Sequence, residues 1–145
     1  MSLGMSAATA ADDRKLAIVN PPALYDPSPH GYSTAVIVPP GARLAYISGQ
    51  GGQDGAGALS PDFAIQVKQA YENLTAAILA LGAKPDQVAK LTVYVVDHDM
   101  AKLDVLTRSV KDVFGAALPA QTLVPVPKLA VDAMLFEVEA VVVLD

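Results

Sequence analysis

Residues 134–143, MLFEVEAVVV, decide the fold, because this stretch is apolar apart from two acids at alternate positions. Successive side chains of a β-strand point to opposite faces. One face of this strand would be wholly apolar: Met134, Phe136, Val138, Ala140 and Val142. The other face would combine two acids with three apolar residues: Glu137, Glu139, Leu135, Val141 and Val143. A solvated face would not carry those apolar residues, so the pattern predicts that another subunit covers it and leaves the carboxylates in a cleft or at a rim.

Two amphipathic segments upstream predict helices that cover the apolar face. The first has Ser60 as a suitable N-cap and Pro61 at the first helical position, and Gly82 ends it. Its apolar residues recur at helical spacing: Val67, Ala70, Leu74, Ala77, Ile78 and Leu81. The second runs from about Met100 to Phe114 and has one apolar face: Leu103, Leu106, Val110 and Phe114.

The remaining β-prone runs complete the order of elements. Leu91–Val96, LTVYVV, is apolar on both faces, which is typical of a central strand. Four other runs lie between Pro- and Gly-rich connections: Leu16–Val19, Ser33–Val38, Leu44–Ser48 and Thr122–Val126. The order βββαβαββ predicts an α+β fold with one mixed six-stranded sheet and both helices on one face.

The length and composition favour a single cytoplasmic domain. We expect the domain at residues 14–145 of the 145-residue chain, and we interpret residues 1–13, which contain a second methionine at Met5, as a disordered or tag-derived segment. No apolar run approaches the roughly 20 residues that span a bilayer, so no membrane partner is expected. The chain has 0 cysteines, which excludes disulfides and thiolate chemistry.

The charge balance argues against nucleic acid as a partner. The chain has 10 Lys+Arg against 15 Asp+Glu, a net charge of -5, and no segment supplies the basic patch that phosphate binding needs. By contrast, 52% of the residues are hydrophobic and the mean hydropathy is +0.37. This balance again favours a surface that a partner covers.

A set of short motifs resembles the RidA/YjgF family, also called endoribonuclease L-PSP, nearly from end to end. No single motif is specific, but their order and spacing are: HGYSTAV at 30–36, ISGQ at 47–50, QVKQAYENL at 66–74, QVAKLTVYV at 87–95, PAQ at 119–121 and FEVEAV at 136–141. The resemblance implies a chorismate-mutase-like fold assembled as a homotrimeric barrel, with small-metabolite clefts between subunits. It also implies hydrolysis of reactive imines and enamines derived from amino acids, which needs no cofactor.

One departure from the family pattern bears on the substrate. The resemblance implies that an arginine in the late PAR segment holds the substrate's carboxylate, since a guanidinium fork matches a carboxylate bidentately. Here that position is Gln121. Losing a charge-assisted hydrogen bond of about 1.5–3 kcal/mol weakens carboxylate binding about tenfold to a hundredfold, so Gln121 suits a neutral or amide-bearing ligand.

The resemblance also names the other site candidates, each with an ordinary structural alternative. It implies that Glu137 guides the attacking water, although a structural ion pair is the alternative. Tyr32 would orient a ligand or merely pack, and Ser48, in a turn at the end of a strand, would offer a hydroxyl or merely form the turn. Weaker candidates are His30 beside the cleft, Glu139 as a partner for Glu137, and Lys128 as another cation for a carboxylate.

Metal and phosphate chemistry find no support in the pattern. The two histidines, His30 and His98, are far apart with no acidic spacing motif, so no metal is expected. The glycine cluster in residues 49–57 lacks the lysine of a phosphate-binding loop. No cofactor is therefore predicted.

Three functions stay open at this point. The first is a cofactor-independent hydrolase or deaminase acting on imine, enamine or amide-like compounds, with Gln121 arguing against standard 2-iminopropanoate turnover. The second is a non-catalytic trimer that binds a small molecule as a sensor or carrier. The third, an endoribonuclease or translation inhibitor, is the weakest because the chain has no Trp and a net charge of -5.

Overall fold

Six strands and two α-helices make up residues 15–145, the part of the chain that the computed structural model describes. Their bounds are β1 Ala17–Val19, β2 Ala35–Ile37, β3 Arg43–Gln50, α1 Phe63–Ala80, β4 Val88–Val96, α2 Met100–Phe114, β5 Ala120–Val126 and β6 Phe136–Leu144. The α+β class with two helices and a mixed sheet is confirmed. The prediction for residues 1–13 lies outside the described residues.

The strands form two sheets, so the prediction of one six-stranded sheet is wrong. The larger sheet has the order β3-β6-β4-β5, in which only β4 and β5 run parallel, and β1 pairs with β2 separately. A single bridge between Ser33 and Ala120 links the two sheets. Pro39 and Pro40 follow β2 and have no N–H to donate, which ends strand pairing there.

Both helices cover the same face of the larger sheet. The apolar face of β6 predicted from the sequence is fully buried at Phe136, Val138 and Val142. These residues form one core with the inward side chains of β4 and of both helices: Leu91, Val93, Val95, Val67, Leu74, Ile78, Leu106, Val110 and Phe114. The opposite face of the sheet, here called the open face, carries no helix of the described chain. It consists of Leu44, Tyr46, Ser48, Lys90, Thr92, Tyr94, Val96, Thr122, Val124, Val126, Glu137, Glu139, Val141 and Val143.

The start of α1 differs from the prediction. Asp62, rather than Ser60, is the N-cap, and its side chain accepts a hydrogen bond from the backbone N of Ile65 at 3.0 Å. Ser60 lies two residues earlier, and its hydroxyl accepts from the backbone N of Asp62 at 3.1 Å. A carboxylate interacts more favourably with the positive end of a helix than a hydroxyl does, which explains the shift. Gly82 follows the helix with a φ of 75°, as a C-terminal glycine should.

Polar side chains on α1 form hydrogen bonds with the backbone of neighbouring loops. Gln66 is completely buried, and its Nε2 donates to the carbonyl oxygens of Ser60 at 2.7 Å and Ala133 at 2.8 Å. Its Oε1 accepts from the backbone N of Leu135 at 2.9 Å. Asn73 similarly donates from Nδ2 to two carbonyl oxygens of the glycine-rich loop. The polar residues of this helix therefore have an architectural role in the chain.

We expect Gln66→Leu to lower the free energy of unfolding by about 1–3 kcal/mol, because it leaves polar backbone groups at Ser60, Ala133 and Leu135 without their partner. Urea denaturation measures the change. Gln69→Leu is the matched control, since Gln69 makes one hydrogen bond within the same helix, and we expect it to cost clearly less. Equal losses in the two variants would contradict this role for Gln66.

Candidate functional site

A cavity of about 550 Å³ lies beside the edge strand β5, where the loop before β2 meets α2. Its walls come from three segments: Tyr25, His30 and Tyr32 of the loop, Leu103, Leu106 and Thr107 of α2, and Gln121, Thr122 and Leu123 of β5. Three candidates from the sequence, namely His30, Tyr32 and Gln121, thus line the same cavity. The contribution of α2 was not foreseen, because helical periodicity marked Leu103 and Leu106 only as packing residues.

A glycine brings the loop onto α2. Gly31 has a φ of 85°, which L side chains rarely adopt, and a Cβ at this position would overlap the Val110 side chain. Only glycine therefore allows this close approach. The neighbouring Tyr32 is half-buried against the cavity as a result.

A buried serine ties Tyr32 to the strand that carries Gln121. Ser33 is 2% exposed, and its backbone N donates to the Pro119 carbonyl at 2.9 Å. Its hydroxyl donates to the Leu118 carbonyl at 2.6 Å. This serine of the HGYSTAV motif consequently positions the cavity and does not itself line it.

The loop segment that carries Tyr25 and His30 is internally braced. The backbone N and hydroxyl of Ser28 donate to Asp26 Oδ1 at 3.0 Å and 2.7 Å, and these two bonds hold the pKa of Asp26 below its usual value. The rings of Tyr25 and His30 meet edge to face, with centroids 5.9 Å apart. His30 therefore presents its ring at the cavity wall.

Gln121 leaves an acceptor without a partner. Its Oε1 is buried and forms no hydrogen bond within residues 15–145. Lys128, the alternative cation for a carboxylate, lies exposed beyond the C-terminal end of β5, whereas Gln121 is near the start of that strand. Lys128 is not part of the cavity wall.

Glu137 lies on the open face, packed over a glycine. A Cβ at Gly49 would overlap the Glu137 carboxylate, so this glycine provides the space in which the carboxylate sits. The expected turn at Ser48 is a bulge instead, since β3 continues to Gln50 with a register shift against β6 between Ile47 and Gln50. Ser48 is exposed next to the glycine.

A tyrosine holds the second acid of β6. Tyr94 Oη donates a short hydrogen bond to Glu139 Oε1. This bond, followed by desolvation and the negative charges of Glu139 and Glu137, raises the pKa of Tyr94. Tyr94 is the cross-strand partner of Glu137 in the β4–β6 register, and its place on this face follows from the alternation of β4. The sequence reasoning missed its role, because it interpreted Leu91–Val96 only as a buried strand.

The two principal candidates lie on opposite faces of the sheet. Gln121 pairs with Leu91, which is fully buried under the helices, whereas Glu137 pairs with Tyr94 on the open face. Strand β4 also separates β5 from β6. One subunit therefore does not bring Gln121 and Glu137 together.

A second groove, of about 560 Å³, runs between the two helices and contains none of the predicted site residues. Its walls include Tyr71, whose burial raises its pKa, together with Leu79 and Val113. Within residues 15–145 no group of three or more His, Cys, Asp or Glu side chains is arranged to hold a metal ion. None of the helices described there is long and apolar enough to cross a bilayer.

Comparison with known proteins identifies the family of the chain. The family described as "Endoribonuclease L-PSP" matches residues 25–144. A relative from Salmonella typhimurium, described as 2-iminobutanoate/2-iminopropanoate deaminase, is 33% identical over 88 residues, which is 60% of this chain and 68% of the relative.

Solved structures extend the likeness over most of the chain. YyfB from Yersinia pestis, a Rid family protein of unknown function, is 31% identical with a TM-score of 0.86, covering 90% of this chain and 99% of that one. RidA from an Antarctic Psychrobacter is 28% identical with a TM-score of 0.65, covering 91% and 95%. The chain therefore belongs to the endoribonuclease L-PSP family, which is the RidA/YjgF family.

Proposed function

We propose that this protein is a cytoplasmic homotrimer that binds a small metabolite in clefts between subunits and hydrolyses an imine, enamine or amide-like compound there. The observation that carries the proposal is the separation of Gln121 and Glu137 on opposite faces of one subunit. A cleft that uses both residues needs a second copy of the chain.

The open face supports assembly. Tyr46 is 77% exposed and Leu44 is 43% exposed, and both belong to this face. Val141 lies beside them as the register partner of Tyr46. Apolar side chains grouped around Glu137 and Glu139 are better explained by a covering subunit than by solvent.

The chemistry requires one free carboxylate. Water adds to the C=N carbon of an imine while Glu137 accepts one of its protons and passes it to the nitrogen, which gives a carbinolamine. The hydroxyl proton of this intermediate then moves to the nitrogen as the C–N bond breaks, so that ammonia leaves and a carbonyl product remains. The carboxylate of Glu139 accepts a hydrogen bond from Tyr94, whereas the carboxylate of Glu137 takes part in none of the side-chain hydrogen bonds of the described residues. We therefore assign the base role to Glu137 and a positioning role to Glu139.

Gln121 favours one alternative, a trimer that binds a metabolite without turning it over. The Salmonella relative is a deaminase of 2-iminobutanoate and 2-iminopropanoate, and both of these compounds carry carboxylates. Without a cation at residue 121, this chain retains the catalytic candidate but loses the group expected to hold such substrates. Ammonia release distinguishes the enzyme from the binding protein.

We expect the protein to form a trimer at micromolar concentration, three times the 15.0 kDa subunit mass by light scattering. Tyr46→Arg should weaken assembly, because it adds a charge to the open face, on which another subunit is proposed to pack. Leu79→Arg is the matched control, since Leu79 is 59% exposed on α1, away from that face, and its charge should leave the trimer intact. A stable wild-type monomer would contradict the proposed assembly.

We expect wild-type protein to be poor at hydrolysing 2-iminopropanoate, as measured by ammonia or keto-acid release. Gln121→Arg should improve carboxylate binding about tenfold to a hundredfold, and Glu137→Ala should remove any turnover so gained. Wild-type activity equal to that of an arginine-bearing relative would mean that another group holds the carboxylate. Unchanged, absent turnover in Gln121→Arg would favour the non-catalytic alternative.

We expect Glu139→Ala to lower the pKa of Tyr94 more than Glu137→Ala does, because the bond to Glu139 is the largest cause of its raised pKa. Tyrosinate absorbance against pH measures it, with Tyr94→Phe identifying the signal. Since folding raises this pKa, the associated stability is complete below the unfolded pKa, near 10, and is lost as the pH rises through the folded pKa. Equal shifts in both variants would argue against the distinct roles assigned to the two acids.

A further inference from the structure

The cavity beside β5 has the size and the wall chemistry of a selective small-molecule site. Its volume of about 550 Å³ falls within the usual range for such pockets, about 300–1,000 Å³. Leu103, Leu106 and Leu123 form an apolar wall, and the rings of Tyr25 and His30 form another. This surface suits an apolar or planar body.

The lining residues of the cavity offer no ion-pair partner for a carboxylate. None of the described residues that line it is a lysine, arginine, aspartate or glutamate. A carboxylate would therefore lose water without gaining an ion pair. A neutral ligand avoids this penalty.

Gln121 specifies which neutral ligand fits. Its Oε1 is a buried acceptor without a partner in residues 15–145, one of two such side-chain atoms; the other is His98 Nδ1, which is not in the cavity wall. An unpaired buried carbonyl oxygen is unfavourable, and a ligand N–H or O–H that reaches it removes that penalty. The terminal amide torsion is soft and Gln121 lines the cavity, so rotation about this torsion can turn the oxygen towards a ligand.

We infer that this cavity recognises a neutral carboxamide on an apolar body, with Gln121 as the specificity-determining residue. A carboxamide offers an N–H to Gln121 Oε1 and a carbonyl oxygen to Gln121 Nε2, so it satisfies both halves of the side chain at once. A carboxylate of the same shape offers only acceptors. The inference rests on the proposed function in taking this cavity as the ligand site, and it requires no catalysis.

Calorimetric titration of the full-length protein with phenylacetamide and phenylacetate tests the inference, because the two probes share one carbon skeleton. We expect the amide to bind at least about tenfold more tightly than the carboxylate. Gln121→Met, which keeps the side-chain length but removes the amide, should lose most of that preference, and Gln121→Arg should reverse it. Gln69→Met is the matched control, because this glutamine bonds within α1 outside the cavity, and it should bind both probes as wild type does.

A second variant tests the location independently of Gln121. Leu103→Trp adds bulk to the α2 wall and should abolish amide binding while the urea midpoint shows that the protein is still folded. Equal binding of both probes to wild type, no measurable amide binding at millimolar concentration, or an unchanged preference in Gln121→Met would each overturn the inference. Amide selectivity in a protein from which no substrate releases ammonia would instead sink the proposed hydrolysis and leave the inference standing.

Discussion

The alternation of side chains along β6 is the constraint on which the rest of the structure depends. Because β6 lies between β3 and β4, one set of its side chains must enter the core under the helices and the other must face away from them. Phe136 and Val138 fill the core, and the same geometry puts Glu137 and Glu139 together on the open face. A shift of one residue would bury two carboxylates beneath α1, so the register of β6 is strongly specified.

Several residues of the motifs support this register through packing and hydrogen bonds. Gln66 binds the segment immediately before β6 and the loop before α1, while Ser33 joins the start of β2 to the connection before β5. Gly49 leaves the space that the Glu137 side chain occupies. Resemblance to a family through such residues is strong support for the fold, and it is weaker support for the reaction.

The sequence predicted what depends on local periodicity and failed where distant segments meet. Both helices and the two faces of β6 follow from spacing alone, since burial imposes periods of 3.6 and 2. The division into two sheets depends on whether β2 pairs with β5, which composition does not reveal. The bulge at Gly49 and the α2 wall of the cavity are also long-range features. For the same reason, Tyr94 was recognised as part of a strand but not as the partner of Glu139.

The residues proposed for recognition and for chemistry, Gln121 and Glu137, lie on different faces of the subunit, and this separation has a consequence for how the protein can diverge. A substitution at Gln121 alters the wall of the cavity beside β5, but it does not touch the packing of Gly49, Tyr94 and Glu139 around Glu137. A carboxylate that guides water depends on its own neighbours, whereas ligand selection depends on the groups opposite the ligand's polar end. Substrate class can therefore change by substitution at the edge strand while the open face, which is also the surface proposed for assembly, keeps its arrangement.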